Sequence, residues 1–129
     1  MQKKTTILQL RNYLVATVQT TLVDQDFITL RDRLVSQVGN SRCTGVVLDV
    51  SELDVLDSFC VRTLSDMARM IRLRGADMLI VGIQPGVAFS MAQLGLDLDG
   101  VPTALDLDEG LAYLDSKSRR SSGRIPAWH

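Results

Sequence analysis

Histidine is almost missing from this chain of 129 residues: the single one, His129, is the last residue. A Ser-His-Asp or Cys-His catalytic group needs a positioned base, and a chain end seldom holds one in place. Cysteine is nearly as scarce. Cys43 and Cys60 are too few for a disulfide scaffold and lack metal-site spacing, so both read as buried, reduced thiols. Three prolines and nine glycines exclude a collagen-like or low-complexity chain. There is no Walker A sequence, no Gly-x-Gly-x-x-Gly and no His/Cys cluster, so no nucleotide, dinucleotide or metal cofactor is expected. The acid pairs Asp97/Asp99 and Asp106/Asp108 fit loop and helix-cap roles better than a catalytic carboxylate dyad. These absences point away from an enzyme.

Long hydrophobic runs are missing too. Residues 45–48 and 78–81 have the length of buried strands and fall far short of the roughly 20 residues that cross a bilayer. The basic start, with Lys3 and Lys4, leads into no apolar signal region, so the cytosol is the expected location, away from any membrane. Net charge is also nearly absent, at -1 from 14 basic and 15 acidic residues, which gives no global field for nucleic acid. That balance conceals an asymmetry. Four basic residues lie in 117–129, leaving residues 1–116 with 10 basic and 15 acidic groups, a net of -5. Residues 117–129 read as a basic, disordered tail on a single domain of residues 1–116.

What is present is a clear alternation of strands and helices. Residues 6–10 and 13–19 read as two strands joined by a turn at Arg11-Asn12, an N-terminal antiparallel hairpin. Asp24 and Asp26 suit a helix start, and Phe27, Leu30, Leu34 and Val38 recur at helical spacing up to a stop at Gly39-Asn40. Residues 45–50 form a β-branched run without alternation, as expected of a central strand covered on both faces. A helix follows from Asp57 or Ser58 to Arg74, with Cys60, Val61, Leu64, Met67, Ala68 and Ile71 inward and Gly75 at the C′ position. Residues 77–83 are another buried strand, Pro85 begins a helix that Gly95 ends, Ala104-Leu105 is a short strand, and a last helix starts at Asp108. The order gives an α/β domain with a mixed central sheet and about four helices.

Between the first buried strand and its helix lies Asp49-Val50-Ser51-Glu52-Leu53-Asp54-Val55-Leu56-Asp57-Ser58-Phe59. A strand ending in Asp-Val-Ser, a short connector, and Asp-Ser at a helix start resembles the STAS domain of anti-sigma factor antagonists, and the element order agrees over residues 1–116. Asp57-Ser58-Phe59, the stretch from Gly82 to Ala88, and that from Thr103 to Leu111 look like stressosome scaffold proteins of the RsbS type. The resemblance implies a non-catalytic scaffold and negative regulator that associates with itself and with RsbR-type STAS co-scaffolds in a large complex. It implies that this complex sequesters a switch serine/threonine kinase of the RsbT type. On the same resemblance, phosphorylation of Ser58 is expected to release that kinase, and an RsbX-type phosphatase to reset the scaffold. Asp57, Phe59 and Arg62 are the implied partner contacts.

Local readings stand beside those roles. Ser58 is also what a plain N-cap looks like. Phe59 is either a staple into the core or a partner contact. Arg62, Arg69 and Arg72 form either a solvated face paired with Asp66 or a contact for an acidic partner. Gln84-Pro85-Gly86 is a helix-entry turn or, less favoured, a binding loop. A receiver domain phosphorylated on Asp49 would need an acidic pair after the first strand and a lysine after a late strand, but residues 10–20 contain no acid and no lysine lies between Lys4 and Lys117. Two further alternatives keep the STAS fold: an antagonist that binds an anti-sigma kinase directly, and a STAS subunit of a membrane lipid transporter.

Overall fold

Arg11, with φ of 55°, takes the left-handed conformation that lets a two-residue turn join β1 (Thr5–Leu10) to β2 (Tyr13–Val18) as an antiparallel hairpin. The computed structural model describes residues 5–19, 23–40, 42–98 and 100–123. After the hairpin come α1 (Asp24–Asn40), β3 (Gly45–Asp49), α2 (Ser58–Leu73), β4 (Asp77–Val81), α3 (Pro85–Gln93), β5 (Thr103–Ala104) and α4 (Leu107–Gly123). Strand order in the sheet follows chain order, with β2 to β5 parallel.

That order dictates where the helices go. Crossovers between parallel strands are right-handed, so successive steps in one direction put α1, α2 and α3 on the same face of the sheet. Leu14, Ala16, Val18, Val46, Leu48, Met78 and Ile80 meet them there, with Phe27, Leu30, Leu34, Leu64, Met67, Ile71 and Val87, in one buried cluster. The alternate strand residues Tyr13, Val47, Leu79 and Val81 face the other way and pack with Leu114, Leu111 and Leu107 of α4. β3 is thereby buried on both faces, as its unbroken apolar run requires. Each fully buried leucine of the larger cluster stabilises the domain by about 1.5–3 kcal/mol relative to exposure.

The mixed sheet, the hairpin and the four helices all form as the sequence predicts. All four residues of the expected α1 stripe are buried, as are all six inward residues of α2. Gly75, with φ of 93°, closes α2 in a Schellman arrangement: its N–H donates to Arg72 O at 3.0 Å and the Ala76 N–H to Ile71 O at 3.1 Å. Both cysteines are free and buried.

Two helix ends differ from expectation. Gly39 and Asn40 do not stop α1 but form its last residues, and the missing side chain of Gly39 makes room for the Arg74 guanidinium. At the other end of the chain, α4 continues to Gly123, through the first seven residues of the segment expected to be disordered. No proline or glycine interrupts residues 111–122, the Lys117 ammonium holds Asp77 at 3.1 Å, and cations near a helix C-terminus oppose its dipole favourably. Lys3, Lys4, Asp99, Arg124 and His129 lie outside the described residues.

Candidate functional site

The segment that joins β3 to α2 is anchored from below and exposed above. Asp49 Oδ1 accepts the Ser51 N–H at 2.9 Å, and the Leu53 N–H donates to Val50 O at 3.0 Å, folding the chain tightly as it leaves the strand. Val50, Leu53 and Leu56 are buried, whereas Glu52, Asp54 and Val55 face solvent. The neighbouring crossover supports it: Gln84 donates from Nε2 to Ser51 O. Gly82, with φ of 83°, lies so close that a Cβ there would stand 2.8 Å from Ser51 Cβ. Gln84 is the N-cap residue of α3 and Pro85 its first helical residue, so Gln84-Pro85-Gly86 is a helix-entry turn.

Asp57, not Ser58, caps α2. Its extended backbone (φ -85°, ψ -179°) places the carboxylate to accept the Cys60 N–H at 2.9 Å, and its carbonyl accepts the Val61 N–H at 3.0 Å. The staple also falls elsewhere than at Phe59. Leu56 precedes the cap and Val61 is the fourth helical residue, the two positions that clamp a helix entry, and both are buried in the larger cluster. Ser58 is thus the first helical residue, exposed and relieved of capping, and Phe59 is half-buried beside it. Arg62 lies one turn further along the face that carries Ser58, exposed and without a hydrogen bond or ion pair among the described residues.

The other polar residues that the sequence singles out have separate local roles. Asp66 pairs with Arg69, and Arg72 donates to Gly100 O at 3.4 Å. Asp106 caps α4 by accepting the Glu109 N–H at 3.0 Å, and Asp97 is exposed.

Beside the cap is a depression of about 360 Å³ between the start of α1 and the β3–α2 connector. Phe27, Leu53 and Cys60 supply its apolar lining, Asp24, Asp54 and Asp57 its acidic groups, and Val55, 69% exposed, stands at its mouth. The hydrogen bonds from the Cys60 backbone hold the Asp57 carboxyl below the usual carboxylate range. Burial, reinforced by the Asp57 carboxylate, pushes the Cys60 thiol up to about 12, so it stays protonated and unreactive. Of the four residues that the sequence singles out, Asp57 lines this depression, while Ser58, Phe59 and Arg62 follow it on α2; the depression itself is not legible in the sequence. Asp24 read only as a helix start, although a hydrophobic residue between acids, at Val55, was its visible trace.

Comparison with known proteins agrees with this architecture. Residues 4–110 match the STAS domain. RsbS from Moorella thermoacetica, in its S58E form, is 35% identical with a TM-score of 0.77, over 91% of this chain and 99% of that one. A chain from the molecular architecture of the stressosome, a signal integration and transduction hub, is 37% identical with a TM-score of 0.74, over 88% and 99% respectively. RsbT co-antagonist protein RsbRA from Bacillus subtilis (strain 168) is 29% identical over 82 residues, which are 64% of this chain. The match spans only 30% of that relative's length. No helix among the described residues is long and apolar enough to cross a membrane. With a matching domain over residues 4–110 and an RsbS-like structure over 91% of its length, the chain belongs to the STAS family and is an RsbS-like stressosome STAS protein.

Proposed function

We propose that the chain is a non-catalytic scaffold and negative regulator in a cytoplasmic stressosome, holding a switch kinase of the RsbT type and releasing it when Ser58 is phosphorylated. Its other partners in this reading are RsbR-type co-scaffolds, further copies of itself, and an RsbX-type phosphatase that resets Ser58. The observation that carries the reading is the exposed Ser58 hydroxyl on the first residue of α2, with the cap supplied by Asp57. A kinase can take such a hydroxyl without unmaking the helix start.

The chemistry of the added group explains release. A phosphate brings about -1.5 to -2 charges at neutral pH. It arrives beside Asp57 and near the acidic depression, on a body already at net -5 over residues 1–116. The helix N-terminus and Arg62, four residues on, favour the anion within the domain. A partner surface docked against the neutral site must instead desolvate and face the new charge, and 1.4 kcal/mol of repulsion already weakens binding tenfold. The S58E form of the Moorella relative carries a charge change of the same sign.

Incubation with the cognate RsbT-type kinase and ATP, followed by mass mapping, tests the proposal. Phosphate on Ser58, abolished in Ser58→Ala, is the expected result. Modification elsewhere with Ser58→Ala labelled normally would overturn it.

A further inference from the structure

Three arginines lie on the exposed side of α2, and the structure leaves them in different states. Asp66 stands within one turn of two of them, four residues after Arg62 and three before Arg69. It pairs with Arg69. An acid that precedes its cation along a helix is the favourable order, so Arg69 is the better partner of the two. Arg72 is turned to Gly100 O at 3.4 Å. Arg62 is left exposed, with no hydrogen bond, ion pair or ring contact among the described residues. Its planar fork of five donors is fully available.

Position gives that fork one near neighbour. Ser58 is four residues earlier, and residues so spaced have Cβ atoms about 5–6 Å apart. Helical side chains lean toward the N-terminus, so Arg62 reaches back over Ser58. The rest of the surroundings is hostile to an anion there. Asp57 adjoins Ser58 and, with Asp54 and Asp24, lines the depression beside the cap. Residues 43–61 contain no lysine or arginine, and neither do residues 75–116, which include α3 and the β4–α3 turn beneath the connector.

We propose that Arg62 is held in reserve as the internal counter-ion of a phosphate on Ser58, and that Arg69 keeps it free by occupying Asp66. The inference rests on the phosphorylation proposed above and states what keeps the modified helix start intact. Three phosphate oxygens meet the guanidinium in a charge-assisted pair within α2, acid before cation. Without Arg62 the phosphate stands among carboxylates alone. Arg62 and Arg69 are both positioning residues, the first acting on the phosphate and the second only through Asp66.

The full chain, with phosphoserine installed at position 58 during synthesis, tests this without a kinase. Phosphorus NMR titration reads the phosphate's second ionisation, ordinarily at about pH 6. The midpoint should lie a few tenths of a pH unit lower in wild type than in Arg62→Gln, with Arg62→Lys between them, because an ammonium supplies charge without the fork. Phosphorylated Arg62→Gln should also melt roughly 2–3 °C below phosphorylated wild type, whereas the unphosphorylated chains should agree to about 1 °C. Arg69→Gln should raise the midpoint part of the way, and adding Asp66→Asn should restore it. Arg69 is about 16 Å along the axis from Ser58, farther than the roughly 8–10 Å over which salt screens a charge, so a direct effect is small. Equal midpoints in wild type and Arg62→Gln would overturn the proposal, as would a midpoint unmoved by Arg69→Gln. So would a melting difference of the same size without the phosphate. Kinase labelling of the unmodified chain is read separately: unlabelled Ser58 with the coupling present defeats the switch alone, and labelled Ser58 without the coupling defeats the counter-ion alone.

Discussion

The Asp57 carboxylate and the Cys60 N–H, 2.9 Å apart, form the bond that starts α2, and the two residues titrate in opposite directions: the N–H lowers the Asp57 carboxyl, whereas burial, and after it the Asp57 carboxylate, raises the Cys60 thiol. Asp57 becomes the stronger acid and Cys60 the weaker one. Between them stand Ser58 and Phe59, held in place without any demand on the Ser58 hydroxyl.

Removing the cap should therefore cost stability. Asp57→Ala is expected to lose about 1 kcal/mol and to lower the melting temperature by roughly 3–6 °C, whereas Asp57→Asn keeps most of the bond. The two variants also separate capping from titration. A carboxyl held below its ordinary value of 3.8 contributes stability that is complete above that pH and is lost as pH falls through the lower folded value. Urea midpoints measured between about pH 5 and pH 2 should fall more steeply for wild type than for Asp57→Asn. Equal slopes would show that the capping bond does not depend on the charge.

Cys60 gives an opposite pH signature. Its thiol, pushed up to about 12 from an ordinary 9.0, stays neutral when folded while the unfolded chain ionises. Its contribution is complete below pH 9.0 and is lost as pH rises toward 12. Cys43, also raised by burial, adds to the same alkaline loss. At about pH 8, a thiol reagent should label neither cysteine in the native chain and both in denaturant. Rapid native labelling of Cys60 would contradict its burial.

At Ser58 the predicted effect is on binding and not on folding. Ser58→Glu puts an acid in the first turn of α2, where the dipole favours it, so its melting temperature should stay within a few degrees of wild type. Its affinity for the RsbT-type kinase, measured by calorimetry, should fall at least tenfold, while Ser58→Ala should keep wild-type affinity. Equal affinities for the two variants would sink the release mechanism.

Gly82→Ala tests the support beneath the site. The new methyl meets Ser51 Cβ at 2.8 Å and Asp49 Oδ1 at 3.1 Å, at a backbone φ of 83° that L-residues avoid. Strain and crowding together should cost about 2–4 kcal/mol, read from the urea midpoint. Part of that cost should appear as faster amide exchange around residues 51–56, because the displaced group is the base of that loop. A loss below 0.5 kcal/mol would mean that the loop adapts freely.

Periodicity made most of the fold legible. Phe27, Leu30, Leu34 and Val38 announce a helix face, and the run from Gly45 declares a strand covered twice. What stayed hidden depended on choices between chemically similar residues or on distant parts of the chain meeting. Asp57 and Ser58 are both good caps, and only the backbone angles of Asp57 assign the duty. Leu56 and Phe59 are both apolar neighbours of that cap, and burial alone picks Leu56 for the staple. The depression joins Asp24 to Val55 across thirty residues of intervening chain, which no local pattern records. The end of α4 was obscured by composition, since serines and arginines resemble a tail until Lys117 finds Asp77.

The parallel order of β2 to β5 also bears on how the chain folds. Parallel neighbours cannot be joined by a short turn, so each of those pairings must first close a loop that contains a helix. The β1–β2 hairpin is the one antiparallel pair among the described strands, and only a two-residue turn separates its strands. Its contacts are local, whereas the pairing of β3 with β4 beneath the Ser58 loop carries the entropy of long loop closure. The hairpin is therefore free to form early, and the segment that presents Ser58 takes shape only when distant parts of the chain have met.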